Sequence, residues 1–151
     1  MKTGKIIILA SLMSCLLTLG VSSETSLTGA RGQSAGAKEE FVLTEINRIR
    51  GKRGLSALRL NSTLQDIARR HSTDMATSGY FSHTDPLGHG LKYRLSQANL
   101  SSFLAAENIQ KNDFPDSAQA AVEGWLQSPG HLQNIVNAKF SETGEIGRAH
   151  V

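Results

Sequence analysis

Two histidines and a glutamate carry the chemical potential of this sequence. His83 lies in Phe81-Ser82-His83-Thr84-Asp85-Pro86, Glu107 in Ala106-Glu107-Asn108-Ile109, and His131 in Trp125-Leu126-Gln127-Ser128-Pro129-Gly130-His131. A neutral imidazole offers one lone pair to a metal or a proton, and its other nitrogen needs a partner that fixes the tautomer. Asp85, two residues on, is placed to be that partner for His83. Glu107 follows Ala105-Ala106 and is expected to be partly enclosed, so it must be paired or hydrogen-bonded. Brought together, the three residues form a pocket for a divalent cation, zinc being suited to imidazole, or for acid–base work. Holding the fold together is the competing role for each of them.

The elements that must bring them together are legible from periodicity. Val42, Leu43, Ile46 and Ile49 follow helical spacing from Glu39 to about Arg53, with Gly54 as the stop. The cluster Arg48-Ile49-Arg50-Gly51-Lys52-Arg53 reads as a solvated helix end, its cations complementing the dipole. Ser62 with Gln65 predicts a capping box, after which Leu64, Ile67, Ala68, His71 and Met75 share one helical face. On that face His71 is expected at the edge of the core. A shorter helix is expected over Leu91–Ala98, with His89 on the loop before it. A strand or extended turn is expected from Phe103 to Gln110, followed by a loop at Lys111-Asn112-Asp113-Phe114-Pro115. Asp116 and Gln119 cap a helix whose apolar face is Ala118, Ala121, Val122, Trp125 and Leu126. Ser128-Pro129 then suits a cap and first helical position, which puts His131 in the first turn of a short helix. Its N-terminal position disfavours a cationic ring. Asn47 and Asn108 are candidates for structural hydrogen bonds beside the site.

The front of the chain reads as an export leader over residues 1–23. A short basic start, Met1-Lys2-Thr3-Gly4-Lys5, precedes a mostly apolar run from Ile6 to Val21, with small residues at Ser22 and Ser23. The run is shorter than the ~20 residues of a membrane span and is broken by Ser11, Ser14 and Thr18. The expected product is therefore secreted, without a transmembrane segment. Cys15, in Leu12-Met13-Ser14-Cys15, offers the alternative of a lipid anchor at the cell surface, but Leu16, Leu17 and Leu19 carry the apolar run past it. As the only cysteine, it excludes an intrachain disulfide. The formal charge of +3 falls by two with Lys2 and Lys5, leaving no concentrated basic face for nucleic acid. Residues 24–38, rich in Ser, Gly, Thr and Ala, are expected to be a flexible linker, and one domain should span 39–144. The last residues, 145–151, back-translate to GAG ATC GGA AGA GCA CAC GTC. From its second base this string matches a common short-read sequencing adapter, so they are read as adapter read-through.

Taken in order, Leu43-Thr44-Glu45-Ile46-Asn47-Arg48-Ile49-Arg50, Gly54-Leu55 and Met75-Ala76-Thr77-Ser78-Gly79-Tyr80-Phe81-Ser82-His83 resemble the opening of bacterial CAP (SCP-like) domains. This is the superfamily of cysteine-rich secretory proteins, antigen 5 and pathogenesis-related 1 proteins. Glu107-Asn108-Ile109 resembles its central motif, and Trp125 with Ser128-Pro129-Gly130-His131 and Asn134-Ile135 its third. The resemblance implies an α+β fold, an α-β-α sandwich around a small antiparallel sheet. The family's last strands follow the position of Gly144, so the sheet is expected to be incomplete here. Many members carry two histidines and two acidic residues, the second acid three positions after the tryptophan. Ser128 occupies that position, which argues against catalysis by a carboxylate pair. The expected function is a secreted cleft, His83–Glu107–His131, that binds a divalent cation or a small or peptide ligand of the envelope or extracellular space without turnover. The alternative is a metal-dependent peptidase or esterase with Glu107 assisting. Against it, the sequence has no Gly-x-Ser-x-Gly, no His-Glu-x-x-His and no cysteine after the leader.

Overall fold

The structure, a computed structural model, describes residues 5–13, 35–100, 104–112 and 116–146. Among them the order is β1 (Lys5–Met13), α1 (Ala35–Gly51), β2 (Arg59–Leu60), α2 (Ser62–Thr77), α3 (Leu91–Gln97), β3 (Leu104–Asn112), α4 (Ser117–Gln127), α5 (Pro129–Ile135) and β4 (Glu142–Ile146). The sheet order is β2-β4-β1-β3. Two apolar clusters lie on its two sides. Leu64, Ile67, Ala68 and Met75 of α2 and Leu95 of α3 gather with Ile109 of β3. Val42, Ile46 and Ile49 of α1 pack with Ala118, Ala121, Val122 and Trp125 of α4, with Ile135 and with Phe140. Strand alternation divides β3 between the two. Ala105 and Ile109 join the first cluster, and Leu104 and Ala106 join the second. The α-β-α sandwich expected for an α+β chain is therefore present.

Several local expectations are refined. The helix expected from Glu39 begins at Ala35, inside the stretch read as linker. Gly54, at φ 69°, provides the left-handed turn after it. Asn61, not Ser62, caps α2, its side chain accepting from the Leu64 amide at 3.2 Å. The capping-box pattern missed it because asparagine is as good a cap as serine, and the register shifts by one. Asp116 and the Ser128-Pro129 pair stand where expected. β3 runs on through Lys111 and Asn112, which were read as loop.

The basic helix end is corrected. Arg50 is fully buried. It donates to the Ser56 carbonyl at 2.9 Å, to Ile135 and Asn137 at 2.7 and 3.0 Å, and to Phe140 at 3.1 Å. A guanidinium has enough donors for all four acceptors, and those carbonyls are what make its burial tolerable.

The sheet departs from the implied antiparallel arrangement, since every ladder is parallel. β1 lies between β3 and β4, pairing Ile8 with Glu107 and with Gly144. Both flanking strands run the same way, so any strand between them meets both ladders in one sense. Lys5–Met13 belongs to the segment read as a leader. A continuous apolar run serves equally as a buried parallel strand, and periodicity cannot separate the two roles. Cys15 and residues 147–151 lie outside the described residues, as does residue 14 and the segment from 16 to 34.

β4 sits tightly on α2. A Cβ added at Gly144 would overlap the backbone of Leu64 and Gln65. Next to it, Glu145 is fully buried, with one oxygen accepting from Thr143 Oγ1 at 2.8 Å and the other unpartnered. Burial, aided by the nearby Glu39 charge and opposed by the Thr143 hydroxyl, pushes its carboxyl up to about 8. A carboxyl raised above its unfolded value costs stability as pH rises from about 4.3 toward the folded value. Glu145→Gln should therefore stabilise the chain by about 4–5 kcal/mol at pH 8 and by little at pH 4. Urea denaturation at the two pH values measures this, and an equal effect at both would contradict it.

Candidate functional site

Glu107, on β3, points into the α2–α3 side of the sandwich with only 3% of its side chain exposed. Two cationic or polar partners close on it. Arg94 Nη2 from α3 lies 2.8 and 3.0 Å from its two oxygens. His83 Nδ1, from the loop after α2, lies 2.9 Å from Oε2. His71 of α2 stands 4.0 Å away, its Nε2 directed to the Ser82 carbonyl at 3.0 Å. Burial alone would push the Glu107 carboxyl up. The His83 hydrogen bond, the Arg94 charge and His71 outweigh it and hold the carboxyl below the usual range. His71 is pushed the other way. Its burial disfavours the cation more than Glu107 favours it, so its pKa is lowered.

The partner expected for His83 is therefore corrected. Asp85 instead holds its own turn, accepting from the Leu87 and His89 amides at 2.9 and 2.8 Å and lying 3.0 Å from His89 Nδ1. A short Asp two residues away satisfies nearby backbone donors more readily than a side chain leaving the turn. Glu107, far in sequence, takes the imidazole. With the carboxylate on Nδ1, the Nε2 side of the half-exposed His83 ring is left for a ligand.

His131 is set from the opposite face of the same strand. Asn108 is fully buried, and its amide donates to the His131 carbonyl at 3.0 Å while its oxygen accepts from Asn134 at 2.8 Å. Successive residues of β3 thus fix the two histidines, Glu107 through a side chain and Asn108 through the backbone of α5. The His131 ring has a lowered pKa, from burial first and then from the charge of His83. Its Nδ1 is buried without a hydrogen-bond partner. Asn47 also proves structural, spanning the Leu58 backbone with bonds of 3.0 and 2.7 Å. His71 is core-edge as expected. His89 is half-buried, stacked on Tyr93 with ring centres 3.8 Å apart.

Arg94 is the site residue that sequence reading did not single out. It also donates to the carbonyls of His83 and His89, at 3.2 and 3.4 Å. Nothing in the spacing of Leu91–Gln97 sets this arginine apart from a surface one. The only available signal was indirect, since a buried Glu107 requires a cation from somewhere.

The chain belongs to the cysteine-rich secretory protein (CAP) family, whose profile matches residues 43–145. It is 38% identical over 106 residues to YlbC of Bacillus subtilis, described as a membrane protein, covering 70% of this chain and 30% of that one. It is 32% identical over 124 residues to YkwD of the same organism, covering 82% of this chain and 47% of that one. The chain thus spans less than half the length of either relative. A crystal structure of an extracellular SCP-domain protein from Bacillus anthracis superposes with a TM-score of 0.67 at 33% identity, over 73% of this chain and 36% of that one.

Removing Arg94 strands a buried charge. Arg94→Met should cost about 3–5 kcal/mol at pH 7. The folded Glu107 pKa is depressed, so its contribution exists above the unfolded value near about 4.3 and is lost as pH falls through the folded value. The deficit of the variant should therefore shrink toward pH 3, and adding Glu107→Gln should recover most of it at pH 7. Urea midpoints across pH measure both effects, and parent and variant midpoints that coincide at pH 7 would refute the pairing.

Proposed function

We propose that the His83–Glu107–His131 cleft is a binding site, for a divalent cation or a small or peptide ligand, that works without turnover. The state of Glu107 carries this reading. Both its oxygens are engaged by Arg94, one is shared with His83, and its pKa is depressed. A general base is most effective with a pKa near the working pH. Glu107 is better suited to orienting His83 than to taking protons from water.

The donor set fits a cation held by two imidazoles. His83 has the carboxylate-backed geometry common behind metal-bound histidines, and the orphaned His131 Nδ1 is a polar atom in want of a partner. Among the described residues no group of three or more His, Cys, Asp or Glu is arranged to hold a metal. Catalytic zinc usually has three protein ligands. Two imidazoles suit a weaker site in which water or ligand atoms complete the shell. When bound, the cation would supply Lewis acidity to a ligand oxygen. The peptidase or esterase alternative needs a Glu107 free to assist, and Arg94 argues against that.

Zinc titration by calorimetry tests the reading. The parent should bind, and His83→Ala and His131→Ala should each weaken binding by about tenfold or more. Variants that bind as the parent does would remove the metal reading. Metal-dependent turnover in a peptidase and esterase screen would displace the non-catalytic one.

We further propose an extracellular or cell-surface location. The basic, apolar, then small-residue order of the first 23 residues supports it, as does the extracellular relative from Bacillus anthracis. Among the described residues no helix is long and apolar enough to cross a membrane. Mass spectrometry of the exported product should find an N-terminus close to Glu24, in which case β1 leaves with the leader and β3 and β4 lose the strand between them. A diacylglyceryl Cys15 would replace secretion by anchoring, and an uncleaved Met1 would overturn the leader.

A further inference from the structure

A cavity of about 380 Å³ opens between α2, the loop that follows it and α3. Ile67, Arg70, Asp74, Asp85, Tyr93 and Arg94 are among its walls. None of His83, Glu107 or His131 lines it; it adjoins their cluster through Arg94 and His71, which it shares.

Its polar groups are unequally committed. Asp85 is engaged by its own turn, and Arg94 by Glu107 and two carbonyls. Asp74 accepts from Ser78 Oγ on one oxygen and from the Tyr80 hydroxyl on the other, which leaves acceptor capacity on both. Arg70 is exposed. It lies one helical turn before Asp74, and its five N–H donors are matched by no hydrogen bond or ion pair among the described residues. The lining thus carries two guanidinium and two carboxylate groups, a neutral sum with separated signs. Burial favours the neutral form of His71, which also lines it. A multiply charged anion would meet Asp74 and Asp85, and a simple cation would meet Arg70 and Arg94. A molecule carrying one charge of each sign meets neither penalty. Ile67 and the Tyr93 ring, held by its stack on His89, add an apolar wall. The volume is at the small end of ligand pockets, which run from about 300 to 1,000 Å³.

We propose that this cavity binds a small zwitterion of the amino-acid or dipeptide class, its carboxylate on Arg70, its ammonium on Asp74 and its apolar side chain against Ile67 and Tyr93.

The probes are L-phenylalanine and L-alanyl-L-phenylalanine, with 3-phenylpropanoate lacking the ammonium and phenethylamine lacking the carboxylate. Calorimetry and amide NMR on the full chain read the outcome. At least one zwitterion should bind, shifting amides of residues 67–74 and 93–97, with both single-charge probes about tenfold weaker or worse. Arg70→Gln, at an exposed position with no hydrogen bond or ion pair to lose among the described residues, should weaken the zwitterion by a similar factor while leaving the circular dichroism unchanged. The proposal fails if neither zwitterion binds, if a single-charge probe binds as well, if the shifts fall elsewhere, or if Arg70→Gln binds like the parent. Zinc binding through His83 and His131 is read independently, so either proposal can fail alone.

Discussion

A carboxylate carried into the interior of a small sandwich sets the layout of everything near it. Glu107 can remain charged there only if cationic and hydrogen-bonding groups reach it, and they come from separate elements. Arg94 arrives from α3, His83 from the loop after α2, and His71 from α2 itself. α3 is only seven residues long, too short to persist by its own propensity. Leu95 buries its apolar side, and Arg94 ties its polar side to β3. Because the same guanidinium also takes the carbonyls of His83 and His89, the loop is shaped by a charge it does not contain. The exposure of the His83 ring beside a nearly closed carboxylate follows from this arrangement.

The placement of His131 rests on an uncharged version of the same logic. Asn108 points away from Glu107 because neighbouring strand residues face opposite sides. Its amide group uses both a donor and an acceptor to bind the first turn and the last turn of α5. Arg50 then gathers the end of that helix and the segment leading to β4, through the carbonyls of Ile135, Asn137 and Phe140. His131 is thus placed by backbone anchoring, with its ring left free of hydrogen bonds at Nδ1. One histidine is oriented through its side chain and the other through its main chain, so perturbing one need not disturb the other.

What could be read beforehand was what repeats locally. The faces of α2 and α4, the Asp116 cap, the Ser128-Pro129 restart and the enclosure of Glu107 all follow from spacing within a few residues. The Asn61 cap was displaced by one position because Ser62 and Gln65 imitate the same pattern. The burial of Arg50 and Arg94 was not legible. A long side chain reaching across the fold leaves no trace in its own helix, and an arginine in a basic cluster looks solvated until its acceptors are known. The pairing of His83 with Glu107 rather than Asp85 has the same origin. Lys5–Met13 is a different kind of ambiguity, since apolar residues without alternation satisfy a leader and a central parallel strand equally.

Two of the buried carboxylates, Glu107 and Glu145, show how counter-charge, rather than depth, decides their chemistry. Glu107 and Glu145 are both almost wholly removed from solvent. Arg94 and His83 hold the first below its ordinary pKa, while the second has only the Thr143 hydroxyl and is pushed up to about 8. At neutral pH one is a fixed anion that can orient an imidazole, and the other is mostly a protonated acid whose free oxygen lacks a partner. By pKa alone Glu145 would be the better proton-transfer group, yet it is enclosed beside α2. The carboxylate next to His83 is electrostatically clamped, and the one with a pKa near neutrality is sealed in the sheet. Counter-charge, and not distance from solvent, thus sets the proton affinity of each carboxylate.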